Sequence, residues 1–471
     1  MEIIHVSAEC YPVAKVGGLA DVVGALPKYQ QRLGHIAKVV MPCYKTAFLA
    51  ENAFELVHEG GVWMGDTWRH FSVIREKTNK LGFDLYLLDI PGLLDQEGIY
   101  GYPNDEERFT CFQIAVLNWI NAWQHCPDVI HCHDHHSGLI PFMMTQCYGF
   151  SRLKDIPTVF TIHNAQYQGW MGWHRFHWIP AYDDWKSGLL DWNHAINAMA
   201  AAVKCAWRVT TVSPGYLEEI KQQASGLEAL FRYEAGKCLG ILNGVDTGVW
   251  NPQTDPMIPT HYTRRNVSSG KKANKKEICE SFGLDPDKPL VSFIGRLVGD
   301  KGADLLPEII GSTLEETGGA CNFLVLGSGD PHIEWSLKAL RTAWEAQYNL
   351  HLGYDEALSH QIYAGSDFLV MPSRVEPCGL NQLYAMRYGT VPVVASVGGL
   401  KDTVIDFGDT GGYGIRFLQV EPWDVRRAIV RGMELYGKPR QMFSIRQRMM
   451  GLDFSWEHAA KKYLQVYTEL R

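Results

Sequence analysis

The residues able to do chemistry in this chain sit where apolar runs stop. Glu376 occupies the turn Arg374–Gly379, between a run ending at Met371 and a helical pattern opening near Leu380. A strand–turn–helix with glycine at the turn sets free backbone N–H groups and a positive helix end beside the carboxyl end of the strand. That arrangement binds phosphate without a dedicated side chain. An acid in such a turn either faces a substrate or answers the helix macrodipole, and both readings stand. Arg296 and Lys301, in GRLVGDKG, occupy a loop of the same kind after an earlier strand, where two cations among glycines suit a diphosphate or are solvated surface charges. Near the start, Lys15-Val-Gly-Gly-Leu-Ala-Asp21 offers the amides of Gly17 and Gly18 to an anion, with Lys15 as the opposing charge. No Gly-Lys-Ser/Thr follows, so this is no Walker P-loop, and Gly327–Asp330 is too short for a dinucleotide fingerprint.

His131-Cys-His-Asp-His-His136 raises zinc, with His131 and His133 on one face of a strand. No second ligand cluster accompanies it, and Asp134–Ser137 also reads as a helix N-cap, so no metal is expected. His163-Asn164 ends a further strand on the same side, and polar residues ending several parallel strands converge where such sheets bind ligands. Between Gly169 and Trp192 lie five tryptophans, Trp170, Trp173, Trp178, Trp185 and Trp192. They suit a sugar-stacking surface or the apolar cover of a flap equally well.

The elements that must position these groups alternate. Strands are expected at Ile3–Ser7, Ala37–Met41, Asp84–Asp89, Val129–His133, Thr158–His163, Val209–Val212 and Ile241–Asn243, with helices at Leu19–Leu33 and Phe109–Trp123. A second series follows at Leu290–Ile294, Asn322–Leu326, His351–Leu352, Phe368–Met371 and Val391–Ala395, the last stopping at Gly398-Gly399. Strand–helix alternation means right-handed βαβ units and parallel sheets. The expected architecture is α/β: two doubly wound, Rossmann-like domains facing across a cleft. The first spans 1–250 and the second 277–454, joined by a proline-bearing, polar linker at 251–276.

Composition narrows the function. At 20% charged residues and a net charge of −8, with no basic stripe, nucleic acid is excluded as a main partner, and the run Lys271–Lys276 reads as a solvated helix start. No apolar run reaches the roughly 18 residues of a membrane span. Eleven cysteines without paired spacing fit a reducing, cytoplasmic setting, and MEIIHVSAEC reads as a strand and not a signal peptide.

Taken together, KVGGLADV (Lys15–Val22), HDHHSGL (His133–Leu139), His163-Asn164, VSPGY (Val212–Tyr216), LNGVD (Leu242–Asp246), Gly295–Gly302 and EPCGLNQLYAMRY (Glu376–Tyr388) resemble, in order and over essentially the whole length, the bacterial glycogen synthases, the family that includes plant starch synthases. The resemblance implies a GT-B type fold. It also implies metal-independent, cofactor-free, retaining transfer of glucose from ADP-glucose to the non-reducing end of an α-1,4-glucan. Carried over by motif, Arg296 and Lys301 hold the diphosphate and stabilise the departing ADP. Gly17, Gly18, Cys378, Gly379 and Leu380 line the donor, with Lys15 on the distal phosphate and Tyr354 near the base. His163 and Glu376 contact the donor glucose, while Asp21, Asp134 and Asn243 line the sugar or acceptor side. The helix 455–471 is expected to pack back on the first domain.

Departures from the family pattern are Val16 for threonine, His135 for tryptophan, Asn381 for threonine and Ala200 for lysine, the last expected to weaken an acceptor-side contact. Tyr384 stands where related transferases often carry a second glutamate. These leave open UDP-glucose or a small acceptor, and a non-catalytic glucan-binding protein on the same fold.

Overall fold

The apolar runs do form strands, and their burial explains their sequence. In the computed structural model, which describes Met1–Arg471, the chain divides into two compact units: Met1–Gly244 with Trp456–Arg471, and Val245–Ser455. The first unit carries β1 (Glu2–Val6), β2 (Ile36–Pro42), β3 (Phe54–Met64), β4 (Thr67–Glu76), β5 (Asp84–Asp89), β6 (Val129–His133), β7 (Thr158–Ile162), β8 (Trp170–Met171), β9 (Asp191–Trp192), β10 (Ala195–Asn197), β11 (Arg208–Thr211) and β12 (Cys238–Gly240). Nine of these form one sheet in the order β12-β11-β7-β6-β1-β2-β5-β4-β3, and β8, β10 and β9 form a small second one. From β12 to β5 every pair is parallel, and β6 and β7 are buried along their whole length, as strands covered on both faces must be.

The second unit carries β13 (Leu290–Ile294), β14 (Asn322–Gly327), β15 (Tyr348–Leu352), β16 (Phe368–Met371), β17 (Val391–Ala395) and β18 (Ile415–Phe417), in the order β15-β14-β13-β16-β17-β18, all parallel. In both sheets the order reverses beside one strand: β1 lies between β2 and β6, and β13 between β14 and β16. Loops leaving the carboxyl ends of such a pair run in opposite directions and open a crevice for a ligand.

Three expectations change. The hairpin β3–β4 extends the first sheet antiparallel, although its polar, half-exposed residues carry no clear strand signal. Ile241–Asn243 is not a strand, because the pairing with β11 ends at Gly240. The third correction is the linker at 251–276, which belongs to the second unit. Trp250 stacks on His360 and Tyr384 with ring centroids 3.9 and 3.8 Å apart, Asp255 meets His360 Nδ1 at 2.7 Å, and Val267–Phe282 is a helix. Nor are all the lysines of that helix solvated. Lys271, 2% exposed, has Nζ within 2.7–3.2 Å of Thr390 Oγ1 and the carbonyls of Tyr363, Ala364 and Tyr388. One turn on, Lys275 meets Asp367 at 2.9 Å, which Arg446 meets at 2.8 Å. Lysine stems bury readily when the ammonium finds acceptors, and those acceptors lie far away in sequence.

The helix Trp456–Glu469 packs on the helix Gly18–Arg32. Trp456, Ala459, Ala460, Tyr463 and Tyr467, a stripe at helical spacing, join Ile3, Val22, Leu26 and Val129 in one core. No helix is long and apolar enough to cross a membrane.

Candidate active site

In the second unit the exits of β13 and β16 are stapled together. Gly302, at φ +65°, has its Cα so close to the Pro372 carbonyl oxygen that a Cβ would lie 2.0 Å from it, so only glycine closes the turn. Arg374 donates from its backbone N–H to Asp300 O (2.8 Å) and from Nη1 to Gly299 O (2.5 Å), and its guanidinium grips Asp304 at 2.6 and 2.9 Å. That contact holds the Asp304 carboxyl below the usual range. With the loops fixed, Lys301 Nζ donates to both carboxylate oxygens of Glu376 at 2.7 Å and Ser373 Oγ donates to one at 2.9 Å. Glu376 is only 6% exposed, so these three bonds are what a buried carboxylate needs. The two residues assigned separately to phosphate and to sugar are thus a single ion pair. Arg296, one residue beyond Gly295, is exposed, and no hydrogen bond or ion pair engages its guanidinium.

The turn after Glu376 is held as tightly. Gly379 takes φ +75°, and a Cβ there would lie 2.4 Å from Gln382 Oε1. Gly399 donates its N–H to the Glu376 carbonyl at 3.1 Å, and a Cβ on it would meet the Cys378 carbonyl oxygen at 2.1 Å. The Gly398-Gly399 pair therefore opens the helix Gly398–Thr403 against the Cys378 turn. Cys378 is buried, and Leu380 precedes the short helix Asn381–Arg387. Asn381 uses its amide to bind Ile294 O at 2.7 Å, a structural role for the departure from threonine. Tyr354 is 76% exposed, and its hydroxyl donates to Glu356 at 3.2 Å. Tyr384, by contrast, is occupied by its stack on Trp250.

In the first unit the glycine loop after β1 recognises an anion of its own. Val16 and Gly17 donate their N–H groups to Glu9 Oε2 at 2.6 and 3.0 Å, and Tyr100 OH donates to Oε1 at 2.7 Å. The Gly17 amide, expected to face a phosphate, is held by Glu9 here. A Cβ on Gly17 or Gly18 would meet nothing within 4 Å, so the outer face of the loop is open to a ligand. Lys15 pairs with Asp21 at 2.6 Å.

Asp134, just after β6, stands at φ +54°, ψ 179°, a conformation costly for anything but glycine and kept where function or structure requires it. Its Oδ1 accepts the backbone N–H of His163 at 2.7 Å. Burial pushes its carboxyl up to about 7, against the backbone N–H groups of His163 and Asn164 that favour its charge. His163, after β7, meets His133 Nδ1 through its Nε2 at 3.0 Å, and burial depresses it to about 3. Asn243 is buried, and its Oδ1 has no partner. Ala200 is fully buried inside the helix Ala198–Cys205. The tryptophan stretch divides: Trp185 is 75% exposed, whereas Trp173 and Trp192 anchor Asp191 and Gly226 O through their indole N–H groups.

The histidine cluster is built differently from the zinc reading. His131 and His133 join His5, with ligand atoms within 4.8 Å of one another. Their nitrogens, however, are engaged with one another and with Gln30, Thr161, His163 and Tyr467. His135 and His136 lie outside this cluster. Glu9, Ser373, His5, Gln30 and Tyr467 are the partners that sequence reasoning missed. Only Glu9, an acid following the first strand, carried any local signal.

Residues 2–233 match the family model described as starch synthase catalytic domain, and 274–419 that described as glycosyl transferases group 1. The chain is 52% identical to the glycogen synthase of Flavobacterium johnsoniae, over 99% of this chain and 98% of the relative. It is 39% identical to glycogen synthase 1 of Synechocystis sp., over 99% and 94%. Among solved structures, the catalytic domain of starch synthase IV from Arabidopsis thaliana, bound to ADP and acarbose, superposes with a TM-score of 0.90 at 31% identity, covering 100% of this chain and 99% of that one. Sucrose-phosphate synthase from Thermosynechococcus elongatus, at 17% identity and a TM-score of 0.64, shares the fold alone. On full-length identity to these enzymes, the chain belongs to the glycogen and starch synthase family of glycosyltransferases.

Proposed function

We propose that this chain transfers glucose from ADP-glucose to the non-reducing end of an α-1,4-glucan with retention at the anomeric carbon. The observation that carries the reading is the Lys301–Glu376 pair, held rigidly where the strand order of the second sheet reverses, beside an unengaged Arg296. Such a pair is preorganised electrostatics, and with a diphosphate leaving group charge stabilisation and positioning are most of the catalytic task.

In the second unit Arg296, Lys301 and the amides around Gly379 and Leu380 meet the charge on the departing diphosphate, and no metal is assigned a role. Glu376 lies against the sugar as its anomeric centre becomes oxocarbenium-like. In the first unit Lys15 and Gly18 are assigned to the distal phosphate, His163 to the donor glucose, and Asp21, Asp134 and Asn243 to the sugar or acceptor. In front-face attack the C1–O bond to the diphosphate breaks and the acceptor hydroxyl oxygen bonds C1 on the same face. The hydroxyl proton passes to the leaving phosphate oxygen, so ADP departs with it. Glu376 as a covalent nucleophile is disfavoured here, because both of its oxygens are already engaged by Lys301 and Ser373.

The test is incorporation of labelled glucose into glycogen, with ADP-glucose and UDP-glucose run in parallel. Incorporation from ADP-glucose is the expected result. Preference for UDP-glucose overturns the donor assignment, and no incorporation from either overturns the reading.

A further inference from the structure

Behind His163 the first unit holds a continuous buried chain of side chains that neither the donor site nor the core accounts for. His163 Nε2 meets His133 Nδ1 at 3.0 Å, His133 Nε2 meets His5 Nδ1 at 3.0 Å, and His5 Nε2 meets Gln30 Oε1 at 2.8 Å. Gln30 Nε2 donates to Tyr467 OH at 3.2 Å. That hydroxyl meets His131 Nδ1 at 2.6 Å, and His131 Nε2 meets Thr161 Oγ1 at 2.5 Å. Thr161 meets Thr210 at 2.5 Å. His5, Gln30, His131, His133, Thr161 and Thr210 have 0% exposure, and so does Tyr467, which belongs to the C-terminal helix.

The chain has a direction. Burial holds His5 near 4 and His131 and His133 well below their ordinary value, so each imidazole is neutral, with one N–H and one lone pair. Gln30 Oε1 only accepts, so His5 carries its proton on Nε2 and accepts on Nδ1. His133 must then donate from Nε2 and accept on Nδ1, which makes His163 donate from Nε2. The remaining nitrogen of His163, Nδ1, has no partner in the chain and is left as a lone pair. Reversing the Gln30 amide would reverse every member and turn His163 Nδ1 into a donor. As observed, the amide turns Nε2 toward the Tyr467 hydroxyl, which accepts there and leaves its own proton for His131 Nδ1.

We propose that Gln30 and Tyr467 are positioning residues. Through His5 and His133 they fix His163 as the Nε2–H tautomer, so that its Nδ1 accepts a hydrogen bond from a hydroxyl of the donor sugar. The sugar contact rests on the function proposed above; the tautomer does not. The helix that ends the chain therefore sets a property of the site through one oxygen atom.

The test combines steady-state kinetics with ¹⁵N NMR of the histidine rings in the full chain, which distinguishes Nε2–H from Nδ1–H. His163 is assigned by the signal lost in His163→Gln. The parent is expected to show Nε2–H at His163. Tyr467→Phe and Gln30→Leu are expected to populate Nδ1–H and to lower kcat about tenfold, the order of one hydrogen bond misdirected in the transition state. A structural role alone would lower thermal stability in both and leave the tautomer unmoved. The proposal is overturned by Nδ1–H at His163 in the parent, or by unchanged tautomer and kcat in Tyr467→Phe; that variant serves where Gln30→Leu does not fold. A parent chain that transfers nothing overturns the function proposed above, and the tautomer measurement still decides the relay.

Discussion

Glu376→Gln separates the sugar role of this carboxylate from the phosphate role of its partner. The substitution keeps the shape and alters the hydrogen bonding. Glu376 accepts two bonds from the Lys301 ammonium and one from Ser373, all between 2.7 and 2.9 Å. A glutamine amide offers one acceptor oxygen, and its NH₂ faces an ammonium or a hydroxyl, so donor meets donor. Lys301 keeps 24% of its side chain exposed and can turn to water, which limits the loss of fold stability to about 1–2 kcal/mol. The transition state has no such relief, because the positive anomeric centre loses its carboxylate. Removing one preorganised electrostatic partner typically costs about 3–4 kcal/mol, or roughly 10²–10³ in kcat. Freed from Glu376, Lys301 becomes fully available to phosphate, so affinity for ADP should stay level or rise. Kinetics of glucose transfer to glycogen, beside calorimetric titration with ADP, read both quantities. A variant within twofold of the parent in kcat would refute the argument. So would one whose ADP affinity falls as far as its kcat, since the carboxylate would then serve the nucleotide and not the sugar.

Other perturbations follow from the same geometry. Glu9→Ala strips the Val16 and Gly17 amides and the Tyr100 hydroxyl of their acceptor, so KM for ADP-glucose should rise and the melting temperature fall; unchanged values would show that the loop orders itself. Lys271→Met leaves the carbonyls of Tyr363, Ala364 and Tyr388 without their donor and should destabilise the second unit by about 1–3 kcal/mol in urea unfolding, with ADP affinity retained. Acid should unfold the first unit early. A histidine depressed in the fold binds protons more readily once unfolded, so stability is full above its unfolded value near 6.5 and is lost as pH falls toward the folded one. For His5, held at about 4, that loss is about 3 kcal/mol. Asp134, raised to about 7, works the other way, costing stability as pH rises from about 4 to 7, and Asp134→Asn should remove that opposing slope. A melting temperature flat between pH 7 and 4.5 in Asp134→Asn, where the opposing slope is gone, would contradict the histidine argument.

Most of the parallel framework was legible because its signal is local. A strand buried on both faces is rich in apolar residues, and β16 and β17 read so throughout, while β6, β7 and β13 do so with a few histidine, threonine or serine positions among them. The hairpin β3–β4 was not legible for the opposite reason. It lies at the sheet edge with residues such as Leu56, Trp63 and Trp68 more than half exposed, so its alternation is confined to the short stretches Val62–Met64 and Phe71–Val73. The segment 251–276 misled because prolines and lysines are ordinarily features of exposed chain. What buries them here, Trp250 on His360 and Lys271 on three carbonyls, is supplied by residues about a hundred positions later.

The site divides along the same line. Cations, glycines and Glu376 stand at strand ends, and a strand end is visible in sequence, so the sheet edge each occupies within its own unit could be read directly. What each group does there depends on a partner, and the partners are remote: Glu376 is separated from Lys301 by 75 positions, His5 from His133 by 128 and Gln30 from Tyr467 by 437. Two features of the first unit have this origin. Gly17 was expected to wait for a phosphate, but the fold delivers Glu9 to its amide. The histidine run suggested a metal because His131 and His133 share a face, but β1 and the last helix bring in His5 and Tyr467. A strand register thereby turns would-be ligands into donors and acceptors for one another. Spacing within one strand shows which side chains are neighbours; their protonation is decided by the strand and helix that pack against them.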